Sequence, residues 1–299
     1  LRDRKRNQFS ICMEQESAAY FGEAFARNIG IITAEEQQRI SAATIAIAGL
    51  GGVGGVYAQS FARMGVGHFH LADLDVFETV NINRQFGANR DTFGKPKVLM
   101  VRDQVLAINP HAGTEVFEQG FSEANAEEFF KGVDLAIDGL DFFSIDARRV
   151  YFREARKRGI PVITAAPIGF GSAAYIFAPD GMDFDEYFDL HDGLEKKEML
   201  FRFAIGLAPA MLQRKYFRPT TIDFDDHAAP SFVSGILAAA SITTTFGAQV
   251  LLGKPVQTAP HSIHFDPYVL RYRRTYLPFG NRSPWRRLIR EIARKLYLK

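Results

Sequence analysis

Thr44-Ile45-Ala46-Ile47-Ala48-Gly49-Leu50-Gly51-Gly52-Val53-Gly54-Gly55 is the stretch that decides the fold. A short β-branched, apolar run turns through glycines and opens onto a helical pattern, the strand–loop–helix context that a Gly-x-Gly-x-x-Gly motif requires. Glycines let the backbone turn sharply, and the positive end of the following helix lets a phosphate approach backbone amides. Taken alone, the loop means a nucleotide, with NAD as the default, or a tight packing turn with no ligand.

Outward from this loop the alternation repeats. Candidate strands are Thr44–Ala48, His68–Ala72, Thr114–Phe117, Asp134–Ile137, Pro161–Ala165 and Ala173–Ala178, and candidate helices are Gly54–Met64, Lys95–Ile108, Ser122–Phe130 and Ser144–Arg158. This predicts an α/β fold, a doubly wound, mostly parallel sheet with a Rossmann-like nucleotide-binding half, whose ligand lies beyond the carboxyl ends of the strands. The chain divides into an N-terminal helical segment (1–40), a nucleotide-binding domain (41–178), a crossover or substrate region with a long helix (179–260), and basic C-terminal strands with an amphipathic helix (261–299). Thr33-Ala34-Glu35-Glu36 suits a helix start.

Composition excludes several classes. With 299 residues, 47% hydrophobic and 23% charged, the chain is neither disordered nor collagen-like. Its single cysteine, Cys12, excludes an internal disulfide framework and a zinc site built from several thiolates. Together with the lack of a signal-peptide pattern, this points to a cytoplasmic protein. The uncharged run 228–253 is interrupted by serines, threonines and Gln249 and lacks an aromatic belt, so it reads as a buried or interface helix and not as a membrane span.

The second strand ends in Asp73-Leu74-Asp75, where an acidic side chain can accept from ribose hydroxyls. That still fits NAD. Asn81-Ile82-Asn83-Arg84-Gln85 and Gly94-Lys95-Pro96-Lys97 then put cations and amide donors at the nucleotide edge, which suits a triphosphate being broken better than a redox dinucleotide.

The ordered set Gly49-x-Gly51-Gly52-x-Gly54, Asp73-x-Asp75, Asn81-x-x-Arg84-Gln85, Gly94-x-x-Lys97 and Asp138-x-x-Asp141 resembles the ThiF/MoeB/HesA family, prokaryotic relatives of ubiquitin-activating enzymes. The likeness covers roughly residues 20 to 178, with a weaker echo at Ser231–Gly253. It implies an ATP-dependent adenylyltransferase that uses Mg2+, works as a homodimer, and activates the C-terminal carboxylate of a ubiquitin-like carrier protein or peptide, or a small carboxylate. By motif position, Asp73 would hold the ribose, while Asn81, Arg84, Gln85 and Lys97 would contact phosphates. Asp141 would hold magnesium, and Arg27 resembles the arginine such enzymes donate across the dimer.

The sequence also departs from the family. It lacks the two Cys-x-x-Cys zinc pairs, so no zinc site is expected, and it lacks the cysteine that receives the acyl group as a thioester. The corresponding region reads Phe224-Asp225-Asp226-His227, and Asp141 is followed by Phe142 where relatives commonly carry Asn. The expected enzyme therefore stops at the acyl-adenylate or passes it on. The alternatives are a degenerate nucleotide-binding partner or scaffold subunit, and an NAD- or FAD-dependent oxidoreductase.

Residues 261–299 carry ten Lys/Arg against Asp266 and Glu291, a charge of +8 that leaves −6 for the rest of the +2 chain. Trp285, Leu288, Ile289, Ile292 and Leu296 fall at helical spacing. The expectation is a helix that packs its apolar stripe on the chain itself or a dimer mate, with solvated arginines able to recruit an acidic partner. A membrane surface is the alternative, and nucleic acid is not expected, because the aromatics form no stacking platform.

Overall fold

Along Thr44–Ala48 (β1) alternate residues point to opposite faces: Ile45 and Ile47 enter one core, Ala46 and Ala48 the other. Both faces are covered, so β1 is apolar from Ile45 onward. The structure, a computed structural model, describes residues 16–217 and 229–297; Cys12 and His227 lie outside them.

From the N-terminus, the elements are α1 (16–24), α2 (Ala34–Ala42), β1, α3 (Gly54–Met64), β2 (His68–Ala72), α4 (Lys97–Ile108), β3 (Gly113–Phe117), α5 (Ala126–Phe129), β4 (Leu135–Asp138) and α6 (Ile145–Lys157). There follow β5 (Val162–Ile168), β6 (Gly171–Phe177), α7 (Phe184–Phe188), α8 (Lys196–Leu207), α9 (Val233–Leu251), β7 (His261–Asp266), β8 (Arg271–Tyr276) and α10 (Pro284–Tyr297). They form one eight-stranded sheet of order β3-β2-β1-β4-β5-β6-β7-β8. It is parallel from β3 to β5 and antiparallel beyond. The switch is forced by chain length. Only Gly169 and Phe170 separate β5 from β6, whereas a parallel neighbour needs a crossover of about a dozen residues or more.

On one face, α2, α3, α4 and α9 pack Ile40, Phe61, Val101 and Ile236 over the sheet; on the other, α5 to α8 pack Phe129, Tyr151, Phe188 and Phe203. Helix α9 is long and apolar enough to cross a bilayer, yet it lies across β5 and β6 and against α3. The last strand, β8, is an edge in which Arg271, Tyr272, Arg273, Arg274 and Tyr276 are all exposed.

Helix α10 corrects one arm of the expectation for the basic tail, packing of its apolar stripe on the chain itself. Three of its apolar residues do not face the protein, Trp285 being 68% exposed, Leu288 50% and Ile292 52%; Ile289 is half-buried, while Arg286 and Arg290 are buried. The helix docks through arginines. Arg290 Nη1 meets Asp189 Oδ2 at 2.8 Å, Arg294 Nη2 meets Glu198 Oε2 at 2.9 Å, and Arg286 donates to the Ile205 carbonyl. Asp189 and Glu198 are mostly buried carboxylates that also hold Arg202, and such groups require cationic partners. Of the five helix cations expected to be solvated, Arg286, Arg290 and Arg294 are thus engaged by the fold, while Arg287 and Lys295 stay exposed.

Candidate functional site

The glycine loop sits at the carboxyl ends of β1, β2 and β4. Gly49 takes φ +82°, a left-handed conformation suited to glycine, and its N–H donates to the Ala72 carbonyl at 2.8 Å. Gly54 lies so close to the Gly49 carbonyl that no side chain fits. These two glycines are explained by the protein's own packing. Gly51 is not, since a Cβ there would make only ordinary contact, 3.4 Å, with Gln85 Nε2. A side chain would instead fill the space in which a phosphate could approach the backbone. Gly52 faces Ile236 of α9 at 3.1 Å from the position of such a Cβ, which brings the start of α9 to the loop.

Around this cradle the chain gathers the other sequence-predicted site residues, Arg27 excepted. Asp73 is buried; its Oδ2 accepts from the Leu50 N–H at 2.6 Å and its Oδ1 from the Asp75 N–H at 2.8 Å. Burial raises its pKa above the ordinary carboxylate value, and the two amides pull the other way. Asp73 thus braces the glycine loop as well as offering acceptor capacity at its edge. Asp75 is exposed and pairs with buried Lys97, Nζ to Oδ2 3.0 Å, at the first turn of α4.

Asn81 closes the 3-10 turn Thr79–Asn81 by accepting from the Glu78 N–H at 3.0 Å. Arg84 is held by the Val80 carbonyl and Asn83 Oδ1, at 2.9 and 3.0 Å. Asn83 in turn donates to the Ser231 carbonyl ahead of α9, 3.2 Å away. Gln85 is buried, and its Oε1 has no partner among the described residues, an orphan acceptor beside Gly51. An unsatisfied buried amide oxygen costs about 1–3 kcal/mol, which a ligand donor reaching it would relieve. Cradle and orphan amide together fit a nucleotide.

Asp141 is exposed, one oxygen accepting from the Phe143 N–H at 2.9 Å. Among the described residues no three His, Cys, Asp or Glu cluster to form a metal cage. A lone carboxylate still suits magnesium, which takes one or two carboxylates together with substrate phosphates. Asp138 points inward: its Oδ2 accepts from Arg148 Nε and Thr164 Oγ1, both at 2.8 Å, and its Oδ1 from the Leu140 N–H at 3.1 Å. It organises the loop that carries Asp141.

The sequence reading missed Arg148. Its guanidinium also reaches the Leu140 and Phe142 carbonyls and lies 4.8 Å over the Phe203 ring, so it fastens the 138–142 loop to α8. A signal was present: Arg148 stands three residues after buried Ile145 and four before buried Phe152, a charged residue in an apolar helical stripe. Arg27 is not brought to this chain's own glycine loop. It is exposed in the turn Ala26–Asn28, and Asn28 is tied to the Met64 carbonyl at the far end of α3, roughly 15 Å of helix from Gly54.

The ThiF family model matches residues 25–278. Among curated proteins, residues of this chain are 35% identical over 142 positions to a tRNA threonylcarbamoyladenosine dehydratase of Bacillus subtilis strain 168, covering 47% of this chain and 55% of that protein. They are 30% identical over 185 positions to the "Probable adenylyltransferase/sulfurtransferase MoeZ" of Mycobacterium tuberculosis strain CDC 1551, covering 61% and 46%. The chain thus spans about half the length of these relatives. Escherichia coli MccB, solved with MccA-N7isoASN, superimposes with a TM-score of 0.64 at 16% identity over 89% of this chain and 74% of that one, and the same protein has been solved with ATP. At that identity the likeness concerns the fold. With a family model spanning most of the chain, and with the glycine loop, Asp73, Arg84 and Lys97 assembled at the strand ends, this protein belongs to the ThiF family.

Proposed function

We infer that the protein is an ATP-dependent adenylyltransferase that activates a carboxylate, the C-terminus of a ubiquitin-like carrier or peptide or a small acid, as an acyl-adenylate. The observation that carries this reading is the Gly51 cradle with the orphaned Gln85 amide beside it and buried Lys97 nearby. Gln85 accepts from a nucleotide donor or, with its amide reversed, donates to a phosphate oxygen. Asp73 takes the ribose, and Asn81, Arg84 and Lys97 take phosphates.

The chemistry needs little more. A carboxylate is ionised at neutral pH, so its attack on the α-phosphorus requires no general base. It requires alignment, and neutralisation of the charge gathering on pyrophosphate. Lys97 and Arg84 supply fixed positive charge there. Asp141 would hold Mg2+, whose bound contribution is to neutralise phosphate oxygens.

Arg27 serves the site of a second copy in a homodimer. Its neighbours Ile29 and Ile31 are exposed apolar residues, as are Leu74, Val80 and Ile82 beside the nucleotide edge, and a dimer would cover such residues. ATP–pyrophosphate exchange dependent on added carboxylate tests the reading, with the acceptor sought as an adenylated partner by intact mass. Tight ATP binding without exchange for any co-purified partner would instead support a nucleotide-binding scaffold, and a flavin or nicotinamide absorbance an oxidoreductase.

A further inference from the structure

Helix α10 presents an inverted amphipathicity. In a soluble fold the apolar stripe of a surface helix faces the core. Here Arg286, Arg290 and Arg294 face inward, and Trp285, Leu288 and Ile292, one helical stripe, face solvent. Phe279, just before the helix, is exposed as well. The stripe is bordered by Arg287 and Lys295, exposed and without an ion pair among the described residues, while the one acid on that side, Glu291, is engaged by Arg294 at 3.6 Å.

We propose that α10 docks this protein, lying in the plane, on an anionic membrane surface, with Trp285, Leu288 and Ile292 entering the headgroup boundary and Arg287 and Lys295 meeting lipid phosphates. Apolar ridge and bordering cations are the two attributes such interfacial helices combine. A second copy fits less well: three side chains fall far short of the roughly 800 Å² per partner of a standard interface, and a two-fold pairing would oppose Arg287 and Lys295 to like charges. A bilayer needs no shape complement, and α10 is a convex ridge.

Trp285 is the only tryptophan, so its emission reports on this helix alone. The full-length protein is mixed with vesicles of phosphatidylcholine, or of phosphatidylcholine with phosphatidylglycerol. The expected result is sedimentation and a blue shift with the anionic vesicles only, both reversed by salt. Leu288→Ser with Ile292→Ser should abolish sedimentation without changing thermal stability, since neither side chain supports the fold. Arg287→Glu with Lys295→Glu, which leaves the stripe intact, should weaken it by about tenfold or more. Equal binding to neutral vesicles, no binding to either, or an emission already blue-shifted in vesicle-free protein of doubled mass would overturn the proposal. The last result would assign the stripe to a second copy.

Discussion

The parallel half of the sheet and the antiparallel half use buried charge in opposite ways. Around β1, β2 and β4, Asp73 and Asp138 turn inward to accept from backbone amides and Arg148, and so stiffen the loops that would receive a ligand. Beyond β6, Asp189 and Glu198 draw a whole helix onto the domain by its arginines and leave its apolar side outward. In the first region buried ions shape a site, and in the second they decide which face of an element is left for others. Periodicity reveals the first, because the helices there bury apolar stripes, but it misleads in the second.

The strongest test of the contrast is Arg148→Ala. It strands Asp138 in the core, and the loss should be about 3–5 kcal/mol of stability, read as a lowered denaturant midpoint with an unchanged slope. A cost under about 1 kcal/mol would mean that the 138–142 loop is not held as described. Lys97→Ala touches chemistry instead. Its partner Asp75 is exposed, so folding should be nearly unaffected while exchange falls by about 10²-fold or more, roughly 3 kcal/mol of transition-state stabilisation. Undiminished exchange in this variant rules out its assigned role.

Acid should act on the antiparallel half. Burial, with help from Arg273 and Arg286, depresses the pKa of His264 from 6.5 to about 4, so the folded state holds the imidazole neutral while the unfolded chain protonates it. Stability is then fully present above about pH 6.5 and declines by about 2–3 kcal/mol as the pH falls toward 4. Denaturation of His264→Gln across that range should show a flatter profile; an identical profile assigns the acid sensitivity elsewhere. The smallest effects form a pair on α10. Arg290→Ala should cost about 1.5–3 kcal/mol and Leu288→Ala less than about 0.5 kcal/mol, an order that reverses if the apolar stripe is the docked face.

Much of the parallel half was legible because its signals are local. Gly54–Met64 has the bounds read from the sequence, and Thr33 caps α2 with Glu36 returning a bond to its N–H, as the motif implies. Pro96 moved the start of α4 to Lys97, and Ser122–Phe130 shrank to a 3-10 turn, Glu123–Asn125, followed by the single-turn α5. The glycine loop, Asp73, Asn81, Arg84, Gln85 and Lys97 do gather at one edge, since strand ends and short turns carry them there. The orientation of α10 was not legible. Its arginines pair with residues about 100 positions earlier in the chain, and no pattern within the helix encodes such partners. Nor does the sequence alone tell that Asp138 would face Arg148 and Thr164 while Asp141 stays in solvent.

The edge strand β8 has a consequence of its own. Among the described residues no strand pairs with its outer side, and such an edge offers a row of free amides and carbonyls to any extended chain, a standing invitation to sheet-to-sheet polymerisation. Arg271, Arg273 and Arg274 occupy half of its six positions. Two such edges meeting side by side would crowd arginines from both copies into one ladder, and mutual repulsion would open it. The same cations thus act as gatekeepers, keeping a fold with a long open edge from growing into fibres when the protein is concentrated.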